Sequence, residues 1–228
     1  LAIINARVVI LEAGGSFDLL TRYLAQYGKK VEYLKFDRER VIPMNPFIDA
    51  YRILKYATPN LDKTMQSIEH LNQGASKKEK EANEDRDILN EMTLIVRSMI
   101  TGGEANEEAR ITRADMGRIT QVILDTVKRC YAEKKDQVLT QDMIEGFLLA
   151  AEQDEDNAQR FKDFAASMLP FTTGDFANFF NQPAQPSHDF DYLHIDLGFL
   201  KDKGQEAGLN VVAISVLSRV LGIAEANQ

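Results

Sequence analysis

A strand, a glycine turn, a helix and a second strand follow one another at the start of this chain, and their order restricts what the rest can build. Arg7-Val8-Val9-Ile10-Leu11-Glu12 reads as a buried strand and Ala13-Gly14-Gly15-Ser16 as a turn. Residues 17–27 have helical spacing, and Val31-Glu32-Tyr33-Leu34-Lys35-Phe36 reads as a second strand. Two strands joined by a crossover helix run parallel, so the alternation predicts an α/β sheet. The last element, a long apolar helix running to Gln228, has no strand after it. Both ends therefore read as continuing into a larger α/β domain.

Composition narrows the function classes. The chain has 228 residues, 44% apolar and 27% charged, enough for one good core or two small ones. A formal net charge of −8 argues against gripping nucleic acid through its phosphates. Lys128, Arg129, Lys134 and Lys135 cluster near a helix C-terminus, where cations suit the macrodipole, and read as a solvated helix end. The single cysteine, Cys130, excludes an internal disulfide and a cysteine metal site, and its helical spacing with Val127 makes it a small buried hydrophobe. His70, His188 and His194 have no metal-ligand spacing, so no metal ligand is assigned. No signal peptide is visible, and the apolar run at 211–224 is short for a membrane span and holds Arg219. A cytosolic, reducing compartment is the expectation.

Beyond the second strand, Pro43 and Pro46 forbid regular helix and predict an extended, turning segment. Residues 48–57 predict a short helix and 61–71 a weak one, whereas 73–87 mixes charges without apolar periodicity and reads as a mobile surface connection. Helical stripes follow: Ile88, Met92, Ile95 and Met99; then Met116, Ile119, Ile123, Val127 and Tyr131; then Met143, Phe147 and Ala151; then Phe161, Phe164, Ala165 and Met168. Gly102-Gly103 ends the first. Thr112, with Asp115 three residues on, caps the second, and Thr140 caps the third. Phe171-Thr172-Thr173-Gly174 and Phe179-Phe180-Asn181-Gln182-Pro183 are aromatic and turn-rich. Residues 190–197 read as a strand, and a polar turn leads into the last helix. The order is α/β, all-helix, then α/β again.

Glu12-Ala13-Gly14-Gly15-Ser16 is the candidate ligand-binding turn. It stands at the C-terminal end of a strand, where open parallel sheets bind ligands, and the helix N-terminus beyond it favours anions. Gly14, Gly15 and Ser16 are the candidate cofactor-binding residues; the alternative is that the glycines make a tight turn and Ser16 caps the helix. The chain has no G-x-x-x-x-G-K-[ST], no G-x-G-x-x-G and no apolar strand ending in Asp-Glu. No Ser/His/Asp arrangement is legible.

Several segments in one order resemble the conjugation and type IV secretion ATPases, the TraC-like group. In that family a strand ends in an acidic-Gly-Ser/Arg-type turn, similar to Glu12-Ala13-Gly14-Gly15-Ser16-Phe17, although here the glycine is doubled. Asn-Pro-Phe follows the next strand, as Asn45-Pro46-Phe47 does here, and a helical insertion comes after it. Phe171-Thr172-Thr173-Gly174 with Phe179-Phe180-Asn181 resembles the family's Phe-Thr-x-Gly…Phe-Phe-Asn segment, and Asp196-Leu197 its strand end before a long helix. The resemblance spans nearly the whole chain. It makes the chain an internal part of the motor domain, without the phosphate loop and the magnesium-binding strand.

What the resemblance implies is specific. The fold expected is α/β: a partial RecA-like P-loop NTPase sheet interrupted by a mainly α-helical insertion. Residues 1–47 would be the first part of the core, 48–170 the insertion and 171–228 the return to the core. ATP and Mg2+ would bind the intact protein, a hexamer working with inner-membrane secretion channel proteins at the cytoplasmic face of the bacterial inner membrane. Its ATP hydrolysis would energise pilus assembly or DNA and protein transfer. This segment would not hydrolyse ATP by itself and has no evident nucleic-acid grip. Glu12 would lie nearest the γ-phosphate and position the attacking water; the other role open to it is to accept backbone N–H bonds in its own turn. Asn45, Pro46, Phe47, Phe179, Phe180 and Asn181 are expected to be structural, the first three held against the sheet and the last three closing the insertion onto it. Two other readings stand beside this one: a non-catalytic helical module docking on a secretion or membrane complex, and an unrelated helical protein with a small sheet.

Overall fold

The computed structural model describes residues 7–35, 43–54, 87–184, 190–198 and 206–225. The expected helix at 61–71 and the polar connection at 73–86 lie outside the described residues.

The first segment is a right-length crossover unit: β1 (Val8–Glu12), α1 (Asp18–Gln26) and β2 (Val31–Lys35). β1 and β2 do not pair with each other. The slot between them is filled by β3 (Tyr192–Asp196), giving a parallel three-stranded sheet in the order β1-β3-β2. The first and last parts of the chain thus share one sheet. Val8 and Val31 both stand opposite Tyr192, and Glu12 and Lys35 both stand opposite Asp196. All five residues of β3 are buried, as a central strand covered on both faces requires. Parallel partners share a face, so Ile10, His194 and Tyr33 form one row and Glu12, Asp196 and Lys35 the next. α1 lies on that face, with Thr21 its one buried residue. Val9, Leu34, Leu193 and Ile195 point the other way and belong to the main core.

The helical middle follows the apolar stripes except at Tyr131, which ends its stripe 63% exposed. α2 (Ile88–Thr101) starts at Asp87, whose carboxylate accepts the N–H of Asn90 at 3.0 Å. It ends at Gly102, whose φ of 64° is the left-handed conformation that a C-terminal glycine supplies without strain. A single turn, α3 (Ala105–Glu108), leads to α4 (Arg113–Ala132), then α5 (Thr140–Gln153), α6 (Ala158–Met168) and α7 (Gly174–Phe180). The last helix, α8 (Glu206–Glu225), packs along α2 and contributes Val211, Val212 and Val216 to the same core. Cys130 is fully buried, and burial, followed by the Asp142 carboxylate, pushes its thiol up to about 11. No helix among the described residues is long and apolar enough to cross a membrane.

Three expectations change. Thr140 is not the cap of α5. Leu139 holds that position, and the Asp142 carboxylate takes its N–H at 2.8 Å, which frees the Thr140 hydroxyl to donate to the Phe180 carbonyl at 2.7 Å. The segment at 171–183 is not only turn. Phe171, Phe176 and Phe180 gather their rings at 5.5–5.7 Å, and that packing winds residues between them into α7. The expected helix at 48–57 begins as a 3-10 turn at Ala50–Arg52 and runs on through Leu54, the end of that described stretch.

The cap of α4 is a charged hydrogen-bond network that reaches a second helix. Thr112 and Asp115 form the full capping box: the Asp115 N–H donates to Thr112 Oγ1 at 3.1 Å, and the Thr112 N–H donates to Asp115 Oδ2 at 2.9 Å. Arg160, on α6, donates to the same carboxylate at 3.0 Å and lies 4.6 Å from the Phe164 ring centre. The box therefore ties α6 to α4. Burial opposes the charge on Asp115, but the Arg160 guanidinium and the Thr112 N–H and hydroxyl hold its carboxyl down at about 2, against an ordinary 3.8. A group whose folded pKa is depressed stabilises fully above its unfolded value and loses that contribution as pH falls through the folded one. Asp115→Asn should therefore cost about 2 kcal/mol at neutral pH, with the difference from wild type shrinking below pH 3.8 and lost only as pH falls below about 2 in urea titrations.

Candidate functional site

The polar residues of the sheet meet at its C-terminal edge. Glu12 is the last residue of β1, and the turn after it carries Gly15 at φ 72°. That left-handed glycine turns the chain back, so the next two amides face the carboxylate. The Ser16 N–H donates to Glu12 Oε2 at 2.8 Å and the Phe17 N–H to Oε1 at 3.0 Å. These are the amides just ahead of α1, a place suited to an anion, and the anion there is the protein's own glutamate. Ser16 is not the cap: Phe17 holds that position and no side chain bonds the first turn.

His194, from the centre of β3, completes the arrangement. It is fully buried, with Nε2 2.8 Å from Glu12 Oε1 and Nδ1 2.8 Å from Thr21 Oγ1. The Thr21 hydroxyl also donates to the Phe17 carbonyl at 2.9 Å. Tyr33, the neighbour of His194 on β2, stacks on the imidazole with ring centres 4.6 Å apart and 22° between planes. Phe17 meets the same ring edge-on at 6.4 Å. The Tyr33 hydroxyl donates to Asp18 Oδ1 at 2.9 Å and lies 3.5 Å from Asp196 Oδ2. Gly198 N–H donates to Asp196 Oδ1 at 2.8 Å.

The electrostatics follow from these contacts. Desolvation works against the Glu12 charge, yet the Phe17 and Ser16 amides and the His194 imidazole outweigh it and hold the carboxyl below its ordinary value. Burial, then the Asp18 and Asp196 carboxylates, raises the Tyr33 phenol, which stays protonated and remains a donor. A carboxylate has about four lone-pair positions. Glu12 commits three, to Ser16, Phe17 and His194, and keeps one on Oε2 for a further donor.

Of the residues singled out in the sequence, Glu12, Gly15 and Ser16 lie together here, with Gly14 in the same turn. The other six gather elsewhere. Asn45 Oδ1 accepts the Phe47 N–H at 3.0 Å, while its Nδ2 donates to Val138 O at 3.0 Å and Gln137 Oε1 at 2.9 Å. Pro46 sits in that turn and Phe47 is buried. The Phe179 carbonyl accepts from the Met44 N–H, the Phe180 carbonyl from Thr140, and Asn181 Oδ1 from the Gln141 N–H at 2.9 Å. Both motifs thus bond around the start of α5, and Phe47, Phe179 and Phe180 join the buried cluster that also holds Leu193, Ile195 and Leu197.

Sequence reasoning missed His194, Thr21, Asp18 and Tyr33. A signal for His194 was present: in Tyr-Leu-His-Ile-Asp the histidine and aspartate share the face of a strand otherwise fit for a core, two residues apart at its C-terminal end.

Neither a protein-family model nor a curated protein matches the chain. A solved structure does. The fold is similar to that of VirB4 of Thermoanaerobacter pseudethanolicus. The likeness has a TM-score of 0.58 at 11% sequence identity and covers 98% of this chain and 71% of that one. At that identity the likeness is one of fold: a mixed α/β chain with a small parallel sheet and mostly helices.

The carboxylate bonds set a pH dependence. Glu12, with a folded pKa depressed below 4.5, contributes its stability above that value and loses it as pH falls further. Glu12→Gln should lower the melting temperature at neutral pH, and the gap to wild type should narrow below pH 4.5.

Proposed function

We propose that this chain is part of a type IV secretion ATPase, the stretch of the motor domain that carries the acidic turn beside the nucleotide. The observation that carries this reading is the fold likeness to VirB4 over 98% of the chain, together with a glutamate at the C-terminal edge of its parallel sheet. That edge is where open α/β sheets receive ligands.

In this reading the sheet is a portion of a RecA-like one, and the helical body between β2 and β3 is its insertion. ATP and Mg2+ bind the intact protein, with the phosphate loop and the magnesium-binding strand supplied by sequence flanking this segment. The intact protein is a hexamer at the cytoplasmic face of the inner membrane, coupled to channel proteins and energising conjugative or secretory transfer. Glu12 positions the attacking water near the γ-phosphate through its remaining Oε2 lone pair, while the Ser16 and Phe17 amides fix the carboxylate and keep it ionised. Gly14 and Gly15 let the turn approach the nucleotide closely.

Glu12→Gln in the full-length protein should lower ATP turnover by about 10²-fold or more with nucleotide affinity little changed. Turnover equal to wild type would remove Glu12 from the chemistry. Absence of nucleotide binding by the full-length wild type would remove the ATPase reading itself.

A further inference from the structure

We infer that His194 is the positioning residue for Glu12: its imidazole closes Oε1 and leaves Oε2 as the remaining place where the carboxylate can hold the attacking water. The role rests on the ATPase reading, in which Glu12 orients that water.

Hydrogen counting fixes the direction of the contact. Against desolvation, the Phe17 and Ser16 amides hold Glu12 ionised, and an ionised carboxylate only accepts. The 2.8 Å contact is therefore Nε2–H donating to Glu12 Oε1. Thr21 has one hydroxyl hydrogen and two neighbours for it, His194 Nδ1 at 2.8 Å and the Phe17 carbonyl at 2.9 Å. Given to Nδ1, that hydrogen leaves a neutral ring; given to Phe17, it lets the oxygen accept from the Nδ1–H of a charged one. Nε2 carries its proton in both. The chain Thr21–His194–Glu12 is satisfied by the protein itself, so the carboxylate is set before any ligand arrives.

His194 differs from the two amides in its origin. Ser16 and Phe17 lie four and five residues after Glu12 and belong to its own turn. His194 comes from the central strand, held by the Tyr33 ring stacked at 4.6 Å, the Phe17 edge at 6.4 Å and Thr21 of α1. It is the partner that ties the carboxylate to the sheet. The His194 side chain has no exposure and that of Glu12 has 9%, so the imidazole acts on a ligand only through Glu12. An aliphatic side chain would fill the central strand at less desolvation cost, and what the imidazole adds is a directed donor. With the Phe17 N–H it takes both lone pairs of Oε1, whereas Oε2 has the Ser16 N–H and one open position. Asp18 of α1 faces the pair but accepts from Tyr33 of β2, whose hydroxyl also lies 3.5 Å from Asp196 of β3.

The test is ATP turnover of the full-length protein as a function of pH. His194→Leu should lower kcat about 10²-fold with KM little changed, as a displaced carboxylate does. Loss of the imidazole bond also lets the Glu12 carboxyl rise, so the acid limb of the kcat profile should move to higher pH. His194→Gln offers an amide N–H in place of Nε2–H and should restore most of both. Thr21→Val leaves β3 untouched and should shift kcat and the acid limb the same way by less, and it decides the matter if His194→Leu does not fold. A folded His194→Leu with wild-type kcat and acid limb would overturn the role, as would a His194→Gln no better than His194→Leu, or an unchanged Thr21→Val where His194→Leu does not fold. Glu12→Gln separates the two failures: it still lowers turnover if the positioning role alone is wrong, and leaves turnover at wild type if Glu12 has no part in the chemistry, which removes both.

Discussion

Pairing of β3 between β1 and β2 is the contact on which the rest of the molecule depends. Glu12 and His194 are 182 positions apart in sequence and 2.8 Å apart in space because one strand from late in the chain fills a slot left by the first crossover. A parallel register aligns strand ends automatically, so the polar C-terminal residues of all three strands arrive at one edge. β3 is covered on both faces, and burial favours partners for the polar groups it carries, although the Tyr192 hydroxyl has none among the described residues. His194 finds them in Glu12 and Thr21, and Asp196 in the Gly198 amide. The site is a consequence of the sheet's polar bookkeeping as much as of any ligand.

The helical body is joined to the sheet segments by a second set of bonds, mostly from side chains to backbone. Asn45 and Gln137 hold the loop before α5, Tyr51 donates to the Lys135 carbonyl at 2.7 Å, and Thr140 reaches Phe180. Gln137 also pairs with both backbone groups of Ala184. The stretch after β2 and the stretch before β3 are thereby fixed to the same turn. That coupling brings the chain back toward the sheet in a defined place, and it gives Asn45-Pro46-Phe47 and Phe179-Phe180-Asn181 a shared role at the start of α5.

Local rules made much of this legible. A continuous apolar run marked β1 and the strand-turn-helix-strand order marked β2, apolar stripes marked α2, α4, α5 and α6, and the Thr112/Asp115 pair marked a helix start, since each depends on near neighbours in sequence. Glu12 stood out from its position at a strand end beside glycines. What was not legible depends on distant partners. Thr140 carries a cap residue's side chain, but its hydroxyl goes to Phe180, forty positions away, while Asp142 does the capping. His194 looked like one of three scattered histidines until β3 took its place beside β1. The aromatic residues at 171–180 coil into a helix because their rings pack together, which turn propensity alone does not reveal. The fold likeness to VirB4 is consistent with the order of motifs read from the sequence, and at 11% identity it speaks to architecture.

The joining of the two chain ends at Glu12 and His194 can be tested by long-range proton–nitrogen correlation of the histidine rings, in wild type and in Glu12→Gln. With Glu12 bonded to Nε2 and Thr21 to Nδ1, Glu12→Gln should move the His194 Nε2 resonance while the His70 and His188 resonances stay in place. A His194 ring whose nitrogen shifts are indifferent to Glu12→Gln would contradict the sheet edge described above, and with it the site built there.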